Sequence, residues 1–390
     1  MRTRTCFPFL AGTLCLFMPQ LTQAQSSDLA PKLAKIEEAL EKKYKELHIP
    51  GIAIAIVKDD QIIYKKGFGL RDVEKKLPVT PETLFAIGSS SKAFTAMSVM
   101  MSVDEKKLAL EDAPRKYLPY FRLHDSDTDS RITLRDLLSH RSGLPRTDYC
   151  WYTGVLSPEE VIRATCAAVP TAKLGEKFQY QNVMFLTAGE IVGKAQKTSW
   201  QNFVRNRIFT PLGMKQSNFA PKEMYRFPDY SLGYVYNDAT KETQHLPMRD
   251  LTNAAPAGAI NSNVNEMAQW VRLMLNGGVY NGKRLVSEAS FAELTKPQML
   301  MGGKIFYGLG WMLRDWNGHK IAEHGGNIDG FNAQVAFMPD QKLGFVLLTN
   351  VSASPLGSSA MQSVWENLVG GEKKAEERKT VAGTPSVKPQ

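Results

Sequence analysis

Cysteine is scarce in this chain: four among 390 residues, with Cys6 and Cys15 confined to the first 24. That excludes a small disulfide-stapled fold. No apolar run is long enough to cross a bilayer as a helix. His48, His124, His245 and His319 show no metal-ligand spacing, and no metal or other cofactor is expected. Asp125-x-Asp127-x-Asp129 opens like a calcium loop but lacks the later glycine and glutamate, so it reads as a solvated turn. There is no Gly-x-Ser-x-Gly elbow, which removes the α/β-hydrolase reading, and no internal repeat. The formal net charge is +9 at pH 7, yet no basic cluster is interleaved with aromatics, so nucleic acid is not an expected partner. The excess charge favours anionic surroundings such as a cell envelope or acidic substrates.

What is present is ordinary for a globular protein: 43% hydrophobic and 22% charged residues. The length suffices for one large domain with a sizeable core. Residues 1–24 read as a signal peptide. Arg2 and Arg4 precede a short apolar stretch from Cys6 to Met18, and Thr22-Gln23-Ala24 fits a small-residue cleavage site. The expected mature chain begins at Gln25 and works in a bacterial periplasm or outside the cell, without a stable membrane anchor. Cys150 and Cys166 remain after cleavage. An oxidising compartment allows them to pair, and two buried free thiols are the alternative.

Residues 29–47 carry apolar positions three and four apart, the period of an amphipathic helix. Ile52–Val57 and Gln61–Tyr64 form a hairpin around Asp59-Asp60. An apolar helix runs from Ser89 to Val103. Further helices are expected over 134–138, 158–169, 183–197, 200–208 and 264–276. Strand patterns return at 321–324, 331–338 and 344–349, before a last helix at 356–368. Residues 371–390 hold no large apolar side chain beyond two valines and are expected to be disordered. Strands at both ends with helices between predict an α+β fold: one antiparallel sheet from both termini, flanked by helices, with a mainly helical region inserted.

Three motifs carry possible chemistry. In Gly88-Ser89-Ser90-Ser91-Lys92, Ser89 and Lys92 stand one helical turn apart. A serine hydroxyl needs a neighbour to take its proton, and a lysine whose pKa is lowered can do so. The plain alternative is a serine capping a surface helix. In Tyr180-Gln181-Asn182, a tyrosine near a lysine can act as a phenolate-like base, and the asparagine amide can hold a substrate carbonyl. The plain alternative is a buried tyrosine with a satisfied hydroxyl. In His324-Gly325-Gly326-Asn327, glycines let a substrate backbone lie against a strand edge, and free N–H groups can complete an oxyanion hole.

In this order the three resemble the serine β-lactamase and penicillin-binding protein superfamily, class C-like branch, with its D-aminopeptidases and esterases. Supporting stretches are Leu137-Leu138-Ser139-His140-Arg141-Ser142-Gly143-Leu144-Pro145, Pro256-Ala257-Gly258-Ala259 and Tyr307-Gly308-Leu309-Gly310-Trp311. The resemblance covers roughly residues 30–370. It implies a β-lactamase/DD-peptidase-like fold in one domain over residues 25–370. It implies an acyl-enzyme on Ser89, proton work shared by Lys92 and Tyr180, substrate contacts from Asn182, His324 and Gly326, and an oxyanion hole from the N–H groups of Ser89 and Asn327. His140 is expected to be structural. No residue matches the separate deacylating glutamate of class A enzymes. His324-Gly325-Gly326 stands where class C β-lactamases carry Lys-Thr-Gly, so a fixed cation becomes a titratable imidazole and a hydroxyl is lost. Weaker recognition of a substrate carboxylate follows. Esters, amides or peptides are then favoured over β-lactams, with peptidoglycan a further possible partner. A β-lactamase or D-alanyl-D-alanine carboxypeptidase is the alternative within this class. A non-catalytic peptidoglycan-binding or scaffold protein is the alternative outside it.

Overall fold

The computed structural model describes residues 23–371. The expected signal peptide, apart from its last two residues, and the tail beyond Gly371 lie outside the described residues. The chain builds a nine-stranded antiparallel sheet from β1 (Gly51–Lys58), β2 (Gln61–Asp72), β3 (Leu77–Pro78), β4 (Met299–Gly302), β5 (Ile305–Tyr307), β6 (Met312–Trp316), β7 (His319–Ile328), β8 (Phe331–Met338) and β9 (Leu343–Thr349). The order across the sheet is β4-β5-β6-β7-β8-β9-β1-β2-β3. The two chain ends therefore meet at the β1–β9 pair, where Ile54 lies opposite Leu347.

Both faces of this pair are covered, which explains their continuous apolar runs. On one face Ile52, Ile54, Ile56, Phe345 and Leu347 pack beneath two helices, α1 (Gln23–Glu46) and the C-terminal helix Leu356–Leu368. Ile36, Leu40 and Tyr44 meet Val364 and Trp365 in that layer. On the other face Ala53, Ala55, Val57, Val346 and Leu348 join the larger core beneath the inserted helical region. Full burial of each such Ile or Leu side chain contributes roughly 1.5–3 kcal/mol.

Within that region α2 (Ser91–Asp104) is buried on all sides from Ser91 to Ser102. A helix without a polar face has to lie inside. Beside it runs α3 (Asn182–Gln196), and α4 (Val264–Leu275) lies against the sheet. Close packing here depends on small residues: a Cβ on Gly189 of α3 would come within 2.2 Å of Pro256 Cγ.

Most observed elements extend or trim the expected ones by a few residues, but β2, expected to end at Tyr64, runs on to Asp72. Strands β4, β5 and β6 are additional: they are short and partly exposed, and Gly302-Gly303 interrupts their pattern. The helix expected over 200–208 widens after Val204 into a π-turn at Arg205–Phe209. Asp125 caps a short helix by accepting from Thr128 N–H, and Asp129 accepts from Leu123 N–H and Arg115. Those carboxylates are thus spent on turn geometry. Cys150 and Cys166 are both free, so no bridge joins them. Burial pushes the Cys166 thiol up to about 12. Among the described residues no helix is long and apolar enough to cross a membrane.

Candidate active site

Ser89 sits in a tight 3-10 turn, Gly88–Ser90, that feeds α2. It is half-buried while Gly88, Ser90 and Ser91 are buried, so its hydroxyl is the part of the turn that reaches the surface. It caps no helix: neither the turn nor α2 has a side-chain cap. The serines around it hold the turn instead. Ser90 Oγ donates to the His324 carbonyl at 3.0 Å, and Ser91 Oγ accepts from Ile260 N–H at 3.1 Å.

Strand β7 closes one side. Its partner β6 ends opposite Glu323, leaving residues 324–328 as a free edge facing the Ser89 turn. Gly326 makes the approach possible: a Cβ there would lie 1.8 Å from the Ile87 carbonyl oxygen and 3.0 Å from Ser89 N. Gly88 has φ +49°, and a Cβ there would lie 2.8 Å from Asn327 N. Glycine at both positions lets the backbones of Ser89 and Asn327 come together.

The other side is built by the loop Ser139–Pro145. Gln179 N–H donates to the His140 carbonyl at 2.8 Å, and Gly175 N–H to the Arg141 carbonyl at 2.8 Å. Gln181 N–H donates to His140 Nδ1 at 3.1 Å. Those bonds fix the segment that ends in Tyr180. The His140 and Tyr180 rings lie 4.2 Å apart. Gln181 Oε1 then accepts from Val183 N–H at 3.0 Å and starts α3, whose first residue is Asn182.

Lys92 joins the two sides. Its side chain is fully buried, and its amine lies 3.0 Å from Ser89 Oγ, 2.8 Å from Asn182 Oδ1 and 2.7 Å from the Ala257 carbonyl. It also lies 4.9 Å from the Tyr180 ring centre. Burial holds its pKa well below the ordinary lysine value; Asp148 opposes that shift and Arg146 assists it. Burial moves the Tyr180 phenol the opposite way, upward, outweighing Ser89 and Arg146. The phenolate-like Tyr180 expected from the sequence is therefore not the resting form.

His324 departs further from expectation. It is 1% exposed and does not line the pocket at Ser89. Its Nδ1 lies 2.7 Å from the Gly325 carbonyl, so Nδ1 carries the proton, and Nε2 accepts from Tyr307 Oη at 2.9 Å. Burial, with Lys92 nearby, drives its pKa down to about 3. The imidazole is neutral across the physiological range rather than titrating within it. His140 is likewise held well below the ordinary value by burial. The His140 and His324 ring signals should therefore fail to titrate between about pH 5 and 8 in an NMR titration. Both groups bind protons more weakly folded than unfolded, so stability falls as pH drops below about 6.5. Titration of these two rings near the ordinary histidine value contradicts this.

Arg146 and Trp151, which line the cavity at Ser89, and Asp148, which borders the adjoining depression, lie outside the sequence motifs. Asp148 Oδ1 accepts from Asn182 Nδ2 at 2.8 Å and from Trp151 Nε1 at 3.0 Å, while Oδ2 accepts from Arg146 Nε at 2.6 Å. One of the two N–H groups of the Asn182 amide, which was expected to face substrate, is thus taken by Asp148. A cavity of about 70 Å³ opens beside Ser89, bounded by Arg146, Trp151, Asn182, Leu251 and Asn327 among others.

The β-lactamase family profile matches residues 34–364 of this chain. Protein flp of Staphylococcus aureus (strain COL) is 27% identical over 326 residues, covering 82% of this chain and 63% of its own. An unguisins hydrolase, ungD', of Aspergillus campestris is 29% identical over 335 residues, covering 81% of this chain and 61% of its own. The chain thus spans a little over three fifths of the length of these curated relatives. An octameric penicillin-binding protein homologue from Pyrococcus abyssi superposes with a TM-score of 0.78 at 29% identity, over 87% of this chain and 78% of the other.

Proposed function

Because the chain belongs to the β-lactamase family, we propose that it is a serine hydrolase that cleaves an ester or amide bond through an acyl-Ser89 intermediate. The observation that carries this reading is the setting of the Lys92 amine. A neutral amine has two N–H donors and one lone pair. The two shortest contacts, to the Ala257 carbonyl and Asn182 Oδ1, take both donors. The lone pair is left for Ser89 at 3.0 Å. Burial favours that neutral form, so Lys92 can accept the hydroxyl proton as Ser89 attacks.

The chemistry then closes in two halves. Ser89 Oγ bonds to the substrate carbonyl carbon, and its proton passes to Lys92. The oxyanion lies against the N–H groups of Ser89 and Asn327. Tyr180, held as a phenol, gives its proton to the departing oxygen or nitrogen and regains one from the Lys92 ammonium. In the second half water attacks the acyl group, Lys92 takes its proton, and Ser89 leaves with that proton restored. Asn182 keeps Lys92 in place, itself oriented by Asp148.

The neutral, sequestered His324 supports ester or peptide hydrolysis over β-lactam hydrolysis, since no cation stands at that strand edge for a lactam carboxylate. The basic and apolar N-terminal stretch supports export to a bacterial periplasm or beyond the cell. Parallel assays with a short-chain p-nitrophenyl ester and a chromogenic cephalosporin test the preference. Turnover of the ester with little of the cephalosporin is expected; fast cephalosporin turnover overturns it.

A further inference from the structure

The walls of the Ser89 cavity are nearly uncharged. Lys92 and His324 lie behind them, and burial favours the neutral form of each. Among the described residues that line the cavity, Arg146 alone is charged. Its side chain is 60% exposed, yet it is held at two points. Nε donates to Asp148 Oδ2 at 2.6 Å, and the guanidinium carbon lies 5.4 Å from the Tyr180 ring centre. Asp148 is in turn fixed by Asn182 and Trp151. Stacking and a fixed Nε bond remove much of the freedom an exposed arginine would lose on binding a ligand.

Among the described residues no acceptor meets the terminal nitrogens, Nη1 and Nη2, which leaves four N–H donors of the planar fork. Arg146 also bounds a second depression with Asp148, Tyr149 and Tyr152, contiguous with the first through Arg146 itself. Tyr149 is 92% exposed and Tyr152 50% exposed there. The other arginine at this rim is spent: Arg249 pairs with both oxygens of Asp329 and lies 3.3 Å from the Tyr152 ring centre. A preorganised fork beside apolar and aromatic surface is suited to a carboxylate at the end of a short carbon chain.

Resting on the reading of Ser89 as nucleophile, we infer that the enzyme selects substrates carrying a carboxylate on the part that lies toward Asn182 and Asp148, and that Arg146 is the group that binds it. The subsite approaches from the helical region, across the cavity from the strand edge of His324. Anion recognition thus moves from that strand to the loop after Pro145.

The test is a ratio. The esters p-nitrophenyl hemiglutarate and p-nitrophenyl valerate have acyl chains of equal carbon number and differ in the terminal carboxylate. The kcat/KM ratio should favour the hemiglutarate about tenfold or more in the native enzyme, and fall roughly 10- to 100-fold in Arg146→Ala. Effects of the substitution on Tyr180 or Asp148 that act on both esters cancel in the ratio. Arg146→Lys keeps the charge beside Asp148 but loses the fork, and its ratio should fall between the two. The inference is overturned by a ratio that Arg146→Ala leaves unchanged, or by full preference in Arg146→Lys. A second readout needs no chemistry. Calorimetric titration of monomethyl glutarate and of methyl valerate into Ser89→Ala should show tighter binding of monomethyl glutarate, a difference lost in Ser89→Ala/Arg146→Ala. Equal binding of the two esters to Ser89→Ala contradicts the subsite, whereas hydrolysis that survives Ser89→Ala contradicts only the nucleophile.

Discussion

Replacing Ser89 by alanine should lower kcat/KM for a p-nitrophenyl ester by roughly three to six orders of magnitude, with the melting temperature moved by no more than a few degrees. The two halves of this expectation have separate causes. Catalysis collapses because no second hydroxyl can take over: Ser90 Oγ donates to the His324 carbonyl, and Ser91 Oγ accepts from Ile260 N–H. Both residues are buried, Ser90 in the turn and Ser91 at the start of α2. Stability is nearly preserved because Ser89 is half-buried and its hydroxyl is tied to two neighbouring side chains, Lys92 and Tyr180. Loss of each hydrogen bond costs about 1 kcal/mol. Lys92 keeps Asn182 and Ala257 as acceptors. Unfolding of the variant, or turnover within tenfold of the native rate, would sink the assignment.

Lys92→Met should lower kcat by about 10³-fold or more, in the range lost when a general base is removed, and should also change how stability depends on pH. The sign follows from burial. Unfolded, Lys92 binds a proton up to its ordinary pKa; folded, burial depresses that pKa well below it. Over the interval between the two, the unfolded state holds a proton that the folded state lacks. Stability therefore rises with pH there. The methionine has no proton to lose, so this component of the slope disappears. Thermal melts of both proteins from neutral to alkaline pH should show a steeper rise for the native chain. Parallel slopes would mean that Lys92 is charged in the folded protein and cannot be the base. The same measurement separates catalysis from packing, since Met fills much of the lysine volume while leaving Asn182 Oδ1 and the Ala257 carbonyl without that donor.

The sequence made the centre of the sheet readable and its edge not. Strands β1 and β9 are apolar along their whole length because both faces are covered, and such runs stand out. Strands β4 to β6 are short, with Leu300, Ile305 and Phe306 exposed, and their apolar positions follow no burial pattern a window could detect. Within the site, Ser89 and Lys92 were legible because one helical turn links them. Tyr180 and Asn182 were legible because their spacing places both at the mouth of α3. Asp148 and Arg146 were not. Their part arises from a hydrogen bond between residues 34 positions apart, and from a guanidinium over a ring in another segment. The motif locates His324 but not its protonation, which Tyr307 and full burial set, and no local pattern reports either. The same holds for Tyr180, where burial outweighs every neighbouring group that favours the phenolate.

The acyl-enzyme itself is the most direct test. A slowly hydrolysed ester, or a fluorophosphonate, is mixed with the protein, and the modified peptide is located by mass spectrometry. One adduct per chain is expected, on the peptide that contains Ser89, and none on Ser89→Ala. Turnover without any adduct, or an adduct on a different residue, would contradict the account.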